Sequence, residues 1–382
     1  MLNRHVIRGA LALVLLALAG LGAWSYSLPP ASAPADMPPL ATGEMDAMLA
    51  ALKPPRPRRP LVAIVSINDA TETTDYLMPT GILRRAGVAD VVMLATGPGP
   101  VKLFPALTVQ ADATLAHFDA QHPEGADYVI VPAMSRDDDP AVLAWLRGQS
   151  RKGAIILGVC AGAKVVAAAG LLDGKRATTH WYYLQDMLDK HPSIAYVADR
   201  RVVADRGVAT STGISASMPM MLILIEAMAG RQKAEAVARD LGLPAWDARH
   251  ASHAFKLTRP FATTVLGNVL AFWNRERIGV ELRSGMDEVS LALVADAWSR
   301  TYRSRAVSFA ATSQAIETRD KVRVIPEAAP ADLSSARHMA AFTDQRPAQA
   351  LDRTLQAIAG RYGARTADVV ALQLEYPWRA SP

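Results

Sequence analysis

Five short apolar runs organise the first half of the chain: LVAIVSI (61–67), DVVMLA (90–95), KLFPALTVQ (102–110), DYVIVPA (127–133) and AIILGV (154–159). Each is bounded by polar or turn-forming residues, and their β-branched, nearly continuous apolar character is that of strands buried on both faces. Between them, DYLMPTGILRRAG (75–87, interrupted near Pro79), ATLAHFDA and DPAVLAWLRGQSRKG carry helical spacing. Strands alternating with helices predict an α/β fold, a parallel sheet sandwiched between helical layers. The alternation continues past residue 160 through helix AKVVAAAGLL, short strand ATTH, helix WYYLQDMLDKH, strands IAYVAD and RVVADRGVATS, and the apolar helix SMPMMLILIEAMAG. A further helix, GRQKAEAVARDLG, closes a first domain at 60–245.

The flanks read differently. Arg4, His5 and Arg8 precede an apolar run from Gly9 to Ala23, with Trp24 and Tyr26 behind it. That order is expected of a signal sequence or a retained signal anchor, a transmembrane helix over 1–28 holding a single-pass membrane protein with a periplasmic body. Residues 29–59, rich in proline, read as a tether with one short helix in the middle. From Arg277 the order of strand, acidic turn, helix, strand and hairpin repeats that of residues 61–110, so that Asp75 aligns with Ser290. No second cysteine element follows. Residues 246–382 therefore read as a degenerate partial repeat with C-terminal helices, catalytically empty, which packs on the first domain or completes a homodimer.

Composition narrows the classes. A chain of 382 residues with 51% hydrophobic content buries a substantial core. The excess of 41 basic over 36 acidic residues is scattered and partly sits in KPPRPRRP, so no nucleic-acid partner is expected. Gly97 and Gly99 lack the strand-to-helix context of a phosphate loop, and His250 and His253 lack further ligands nearby. No cofactor or metal is implied. Asp137, Asp138 and Asp139 before Pro140 read as a helix cap.

The one cysteine carries the chemistry. GVCAGA places Cys160 between a buried strand and a helix, and its small neighbours permit the sharp turn of a nucleophile elbow. A thiol at the positive end of that helix is expected to have a lowered pKa, with the Ala161 N–H as an oxyanion donor. A buried structural cysteine is the bland alternative.

GVCAGAKVVAAAGLLDGKRATTHWYYLQDM and GVATSTGISASMPMMLILIEAMAG closely resemble the DJ-1/PfpI (ThiJ/PfpI) superfamily, whose fold is flavodoxin-like and class I glutamine amidotransferase-like. The resemblance spans roughly 60–235 and is strongest to the ligand domain of AraC-type regulators and to isonitrile hydratases, without the helix-turn-helix of the regulators. It implies Cys160 as the elbow nucleophile, His180 in ATTHW as its histidine, and Asp75 as the acid set against the sulfur. Glu72 is a second acid nearby, read as a solvated turn residue. Many members carry a Gly-Gly pair where this chain has Pro132, Ala133 and Met134, leaving the Ala133 N–H as the second backbone donor. The resemblance implies a cysteine enzyme acting on a small electrophile by hydration, hydrolysis or a glyoxalase-like rearrangement. Its rivals are a non-catalytic ligand-sensing regulator and a redox sensor oxidised at Cys160.

Overall fold

The computed structural model describes residues 4–31, 36–333, 337–338 and 345–378. Parts of the expected anchor (1–3), tether (32–35) and C-terminal region (334–336, 339–344 and 379–382) lie outside the described residues.

The central sheet has seven strands, in the order Val202–Asp205, Val208–Ser211, Ile155–Gly158, Tyr128–Val131, Leu61–Ser66, Asp90–Ala95 and Ala113–Thr114. All neighbours pair in parallel except the first two, which are antiparallel. Every residue of Leu61–Ser66, Tyr128–Val131 and Ile155–Gly158 is buried, as strands covered on both faces must be. The expected α/β sandwich is present.

Three local readings change. KLFPALTVQ is not one strand but two, Pro100–Phe104 and Thr108–Gln110, paired antiparallel around a turn in which Leu107 takes φ 73°. The helix Thr73–Ala86 runs through Pro79 rather than stopping at it; the cost is one N–H that would have reached the Asp75 carbonyl. The proline-rich segment is bound to the body, not free of it. Its helix Glu44–Ala51 buries Met48, the Leu52 carbonyl accepts the Tyr128 hydroxyl at 2.7 Å, and Arg56 pairs with the buried Asp127 at 2.8 Å.

The expectation of a single-pass membrane protein is overturned. Among the described residues no helix is long and apolar enough to cross a membrane. The helix Arg4–Ser27 contains an apolar run, Gly9 to Ala23, shorter than the roughly 20 residues a span needs. Its C-terminal end docks on the body, where the Arg259 guanidinium lies 4.5 Å from the Tyr26 ring and donates to the Tyr26 carbonyl at 2.7 Å.

The second half joins the first through a common core. One hydrophobic cluster includes Ile64, Leu83 and Leu157 together with Val280, Leu291 and Leu374. Glu276–Glu281 pairs in parallel with Ser304–Phe309, and Arg323–Ile325 pairs antiparallel with Thr108–Gln110 of the first half. The helix Glu288–Ser299 lies on Thr73–Ala86, close enough that a Cβ at Gly81 would fall 2.3 Å from Glu288 Oε1.

Candidate active site

The strand Ile155–Gly158 delivers the chain to Cys160, and the helix Gly162–Ala168 begins two residues later. Cys160 adopts φ 55°, a left-handed conformation that a non-glycine residue rarely takes. The turn is closed by Gly162, where a Cβ would sit 1.9 Å from the Val131 carbonyl oxygen. The Cys160 backbone is held on both sides: its N–H donates to Ser211 Oγ at 3.2 Å and its carbonyl accepts the Thr179 hydroxyl at 3.0 Å. Only 4% of the residue is exposed.

The structure brings Asp75 to this elbow. Asp75 is fully buried in the first turn of Thr73–Ala86; its Oδ2 accepts the Ala133 N–H at 3.1 Å and its Oδ1 has no hydrogen-bond partner. Burial first, then the neighbouring Glu72, raises the Asp75 carboxyl well above the ordinary range, so that it holds its proton. The thiol is also raised, by burial first and then by any negative charge on Asp75, Glu72 and Glu375, while the Ala161 N–H pulls it down. The helix terminus alone therefore does not make the sulfur a thiolate: a desolvated site with several carboxyls outweighs it. Asp75 and Glu72 are neighbouring buried carboxyls that titrate together, and both act on the Cys160 thiol.

Glu72 is not a solvated turn residue. It is 6% exposed and caps the helix, with Oε2 accepting the Asp75 N–H at 2.6 Å and the Thr74 hydroxyl at 2.7 Å. Its Oε1 accepts from Arg300 at 2.7 Å, and Arg300 also reaches Asp296 at 2.6 Å. Burial and Asp296 push Glu72 up to about 7 against the pull of Arg300.

His180 lies in the same region but turns elsewhere. Its Nδ1 accepts the Tyr182 N–H at 3.2 Å, which leaves the proton on Nε2, and Nε2 donates to the Gln373 carbonyl at 3.0 Å. Burial lowers its pKa and keeps it neutral. The Ala133 N–H, the expected second oxyanion donor, is engaged by Asp75. Asp139 caps Pro140–Arg151 through the Ala141 and Val142 N–H groups. His250 stacks on Phe255, with centroids 5.1 Å apart.

Two residues that local sequence patterns do not mark complete the surroundings. Glu375, beyond the helix Ala364–Gln373, is buried with φ 50°, and its carboxylate accepts the Trp181 N–H at 2.7 Å and the Gly213 N–H at 2.6 Å. The C-terminal segment thus covers the loops around the elbow, with Trp181 Nε1 donating to the Leu372 carbonyl. Among the described residues, cavities of about 480 and 410 Å³ both border Glu375 and His250, and neither is lined by Cys160. Arg300 is the other, and only the internal repeat, which aligns it with Arg85, carried a signal for it.

A largely parallel seven-stranded sheet with a cysteine elbow at the end of its third strand defines an α/β protein of the flavodoxin-like class. Residues 62–227 match the DJ-1/PfpI family. Protein dj-1beta of Drosophila melanogaster is 27% identical over 184 residues, which cover 47% of this chain and 95% of that protein. The HTH-type transcriptional regulator CdhR of Pseudomonas aeruginosa is 32% identical over 154 residues (40% and 44%), and the isonitrile hydratase of Pseudomonas putida 37% over 105 residues (27% and 44%). The crystal structure of Drosophila melanogaster DJ-1beta superposes with a TM-score of 0.45 at 25% identity, covering 49% of this chain and all of that one.

Proposed function

We propose that the protein is a DJ-1/PfpI-type cysteine enzyme that adds the Cys160 sulfur to a small electrophile. The observation that carries this reading is Asp75: a fully buried carboxyl at the elbow whose Oδ1 lacks any partner. An unsatisfied buried oxygen is costly, and it persists where a reaction or ligand uses it. In the proposed step the sulfur forms a bond to the electrophilic carbon, the atom that receives the displaced electron pair takes the Asp75 proton, and the thiol proton passes to the carboxylate this leaves. Water then adds to that carbon, one of its protons going through Asp75 to the same accepting atom, and as the C–S bond breaks the sulfur takes the other, so that the thiol and carboxyl are regenerated. The Ala161 N–H stabilises the developing negative charge, and His180 orients the Trp181–Tyr183 turn. The likeness to an isonitrile hydratase makes hydration the first reaction to test, ahead of hydrolysis and a glyoxalase-like rearrangement.

The decisive experiment is turnover of a panel of small electrophiles (an isonitrile, an α-oxoaldehyde and an activated ester) by the wild type, Cys160→Ser and Asp75→Asn. Turnover of one member that is lost in both variants supports the proposal. Turnover that survives Cys160→Ser, or none across the panel, overturns it. In the second case ligand sensing becomes the better reading. Glu375 and the C-terminal segment over the elbow loops favour that reading, as does the likeness to CdhR.

A further inference from the structure

The strand Leu61–Ser66, the helix Thr73–Ala86, the strand Asp90–Ala95 and the hairpin strand Thr108–Gln110 recur as Glu276–Glu281, Glu288–Ser299, Ser304–Phe309 and Arg323–Ile325. The spacing is close to 215 residues throughout, from Leu61 to Glu276, Glu72 to Asp287, Arg85 to Arg300 and Thr108 to Arg323. Capping follows the same register. Glu72 accepts the Asp75 N–H, and Asp287 accepts the Ser290 N–H at 2.7 Å.

The two copies meet in a contact that is the same from either side. In the shared sheet Thr108 pairs with Ile325, Val109 with Val324 and Gln110 with Arg323. In copy-equivalent positions this is first to third, second to second and third to first, the pattern of a two-fold axis passing between Val109 and Val324. The ion pairs obey it too. Arg300 of the second copy binds Glu72 of the first, and Arg85 of the first binds Asp287 of the second. Residue i meeting j while j meets i is the signature of an isologous dimer interface, here within one chain.

We infer that residues 276–325 stand in for the second subunit of a two-fold dimer, and that Arg300 is a positioning residue for the Cys160 site delivered across that internal axis. The arginine fixes Glu72, and Glu72 in turn holds the first turn of the helix that carries Asp75. Its positive charge also stands against the carboxyls that raise the thiol, and the charge of Cys160 is felt at Arg300. The reverse contact serves no site, because the second copy has Ser290 where the first has Asp75, and no cysteine. The face and the strand edge that a homodimer of this kind needs are already occupied within the chain, so that interface is closed to a second copy. The inference concerns how the proposed Cys160 site is set up and does not require turnover there.

The internal symmetry supplies its own control. With one cysteine in the chain, the thiolate absorbance that disappears in Cys160→Ser reports Cys160 alone. Arg300→Met should raise the thiol midpoint by about half a unit or more. Arg85→Met removes the equivalent pair at the empty copy and should leave the midpoint in place, although it too loses stability. Arg300→Lys, which keeps the charge, should recover most of the shift. Where Arg300→Met does not fold, Glu72→Gln reads the same link with the opposite sign: it should lower the midpoint, and its counterpart Asp287→Asn should not. Equal titrations for Arg300→Met and Arg85→Met, or for Glu72→Gln and Asp287→Asn, would overturn the positioning role. A stable dimer of the full chain by light scattering would overturn the stand-in.

Discussion

Asp75 accepts the Ala133 N–H on Oδ2 at 3.1 Å and keeps Oδ1 free of any partner. One oxygen is fixed by the backbone, and the other is left to carry the proton. A protonated carboxyl that donates to the sulfur anion contributes on the order of 1.5 to 3 kcal/mol. Asp75→Ala should therefore raise the Cys160 midpoint by about one unit, and Asp75→Asn, which keeps an N–H donor, should raise it less. A midpoint that falls in Asp75→Ala would mean that the native carboxyl is ionised beside the thiol.

Glu375 acts in the opposite sense. Its charge raises the thiol, and it covers the elbow loops from 194 positions away in sequence from Trp181. Alkylation of Cys160 in the intact chain should be slow at neutral pH and accelerate as the pH rises. Glu375→Gln removes a negative charge, so the midpoint should fall by about half a unit, with faster alkylation at a given pH. Identical rate–pH profiles for the two proteins would remove Glu375 from the electrostatics of the site.

The elbow makes a sharper demand on Gly162 than on any nearby glycine. A methyl there meets the Val131 oxygen at 1.9 Å and the Pro132 carbonyl carbon at 2.8 Å, and backbone cannot move aside cheaply. Gly162→Ala should cost about 3 kcal/mol or more. Gly148, inside the helix Pro140–Arg151, has nothing within 4 Å, and Gly148→Ala should stabilise by about 0.5 to 1 kcal/mol. Denaturant midpoints of the two variants check both signs.

Legibility in the sequence followed distance along the chain. The sheet and the elbow were readable because strand burial and the small residues around Cys160 are local patterns. Asp75 was placed only through the family resemblance, since a polar residue at the start of a helix has many uses. The burial of Glu72 is not legible in the sequence because its partner Arg300 lies 228 positions away, and no local pattern shows that a second helix covers the turn. KLFPALTVQ passed for one strand because Ala106 and Leu107 are apolar, whereas the chain folds back there and buries both. The apolar N-terminal run suggested an anchor through its flanking charges, although its length falls short of a span.

The buried carboxyls also set how stability depends on pH. Burial is the leading cause that pushes Glu72 and Glu288 from 4.5 up to about 7, and it raises Asp75 and Asp296 as well. A group whose pKa is higher in the folded state makes the fold bind more protons than the unfolded chain, so its contribution is full below the unfolded value and is lost as the pH rises through the folded one. His180 and His250 work the other way. Burial holds both below 6.5, so their contribution is lost as the pH falls through 6.5. Between about pH 8 and about pH 6.5 the carboxyls dominate, and the melting temperature should rise as the solution is acidified. In the Glu72→Gln, Glu288→Gln double variant, two of the titrating groups are gone and the rise should flatten. A wild-type melting temperature that is level or falls across that window, or a slope the double variant leaves unchanged, would show that these carboxyls are ionised in the fold, with Arg300 and Arg85 outweighing burial.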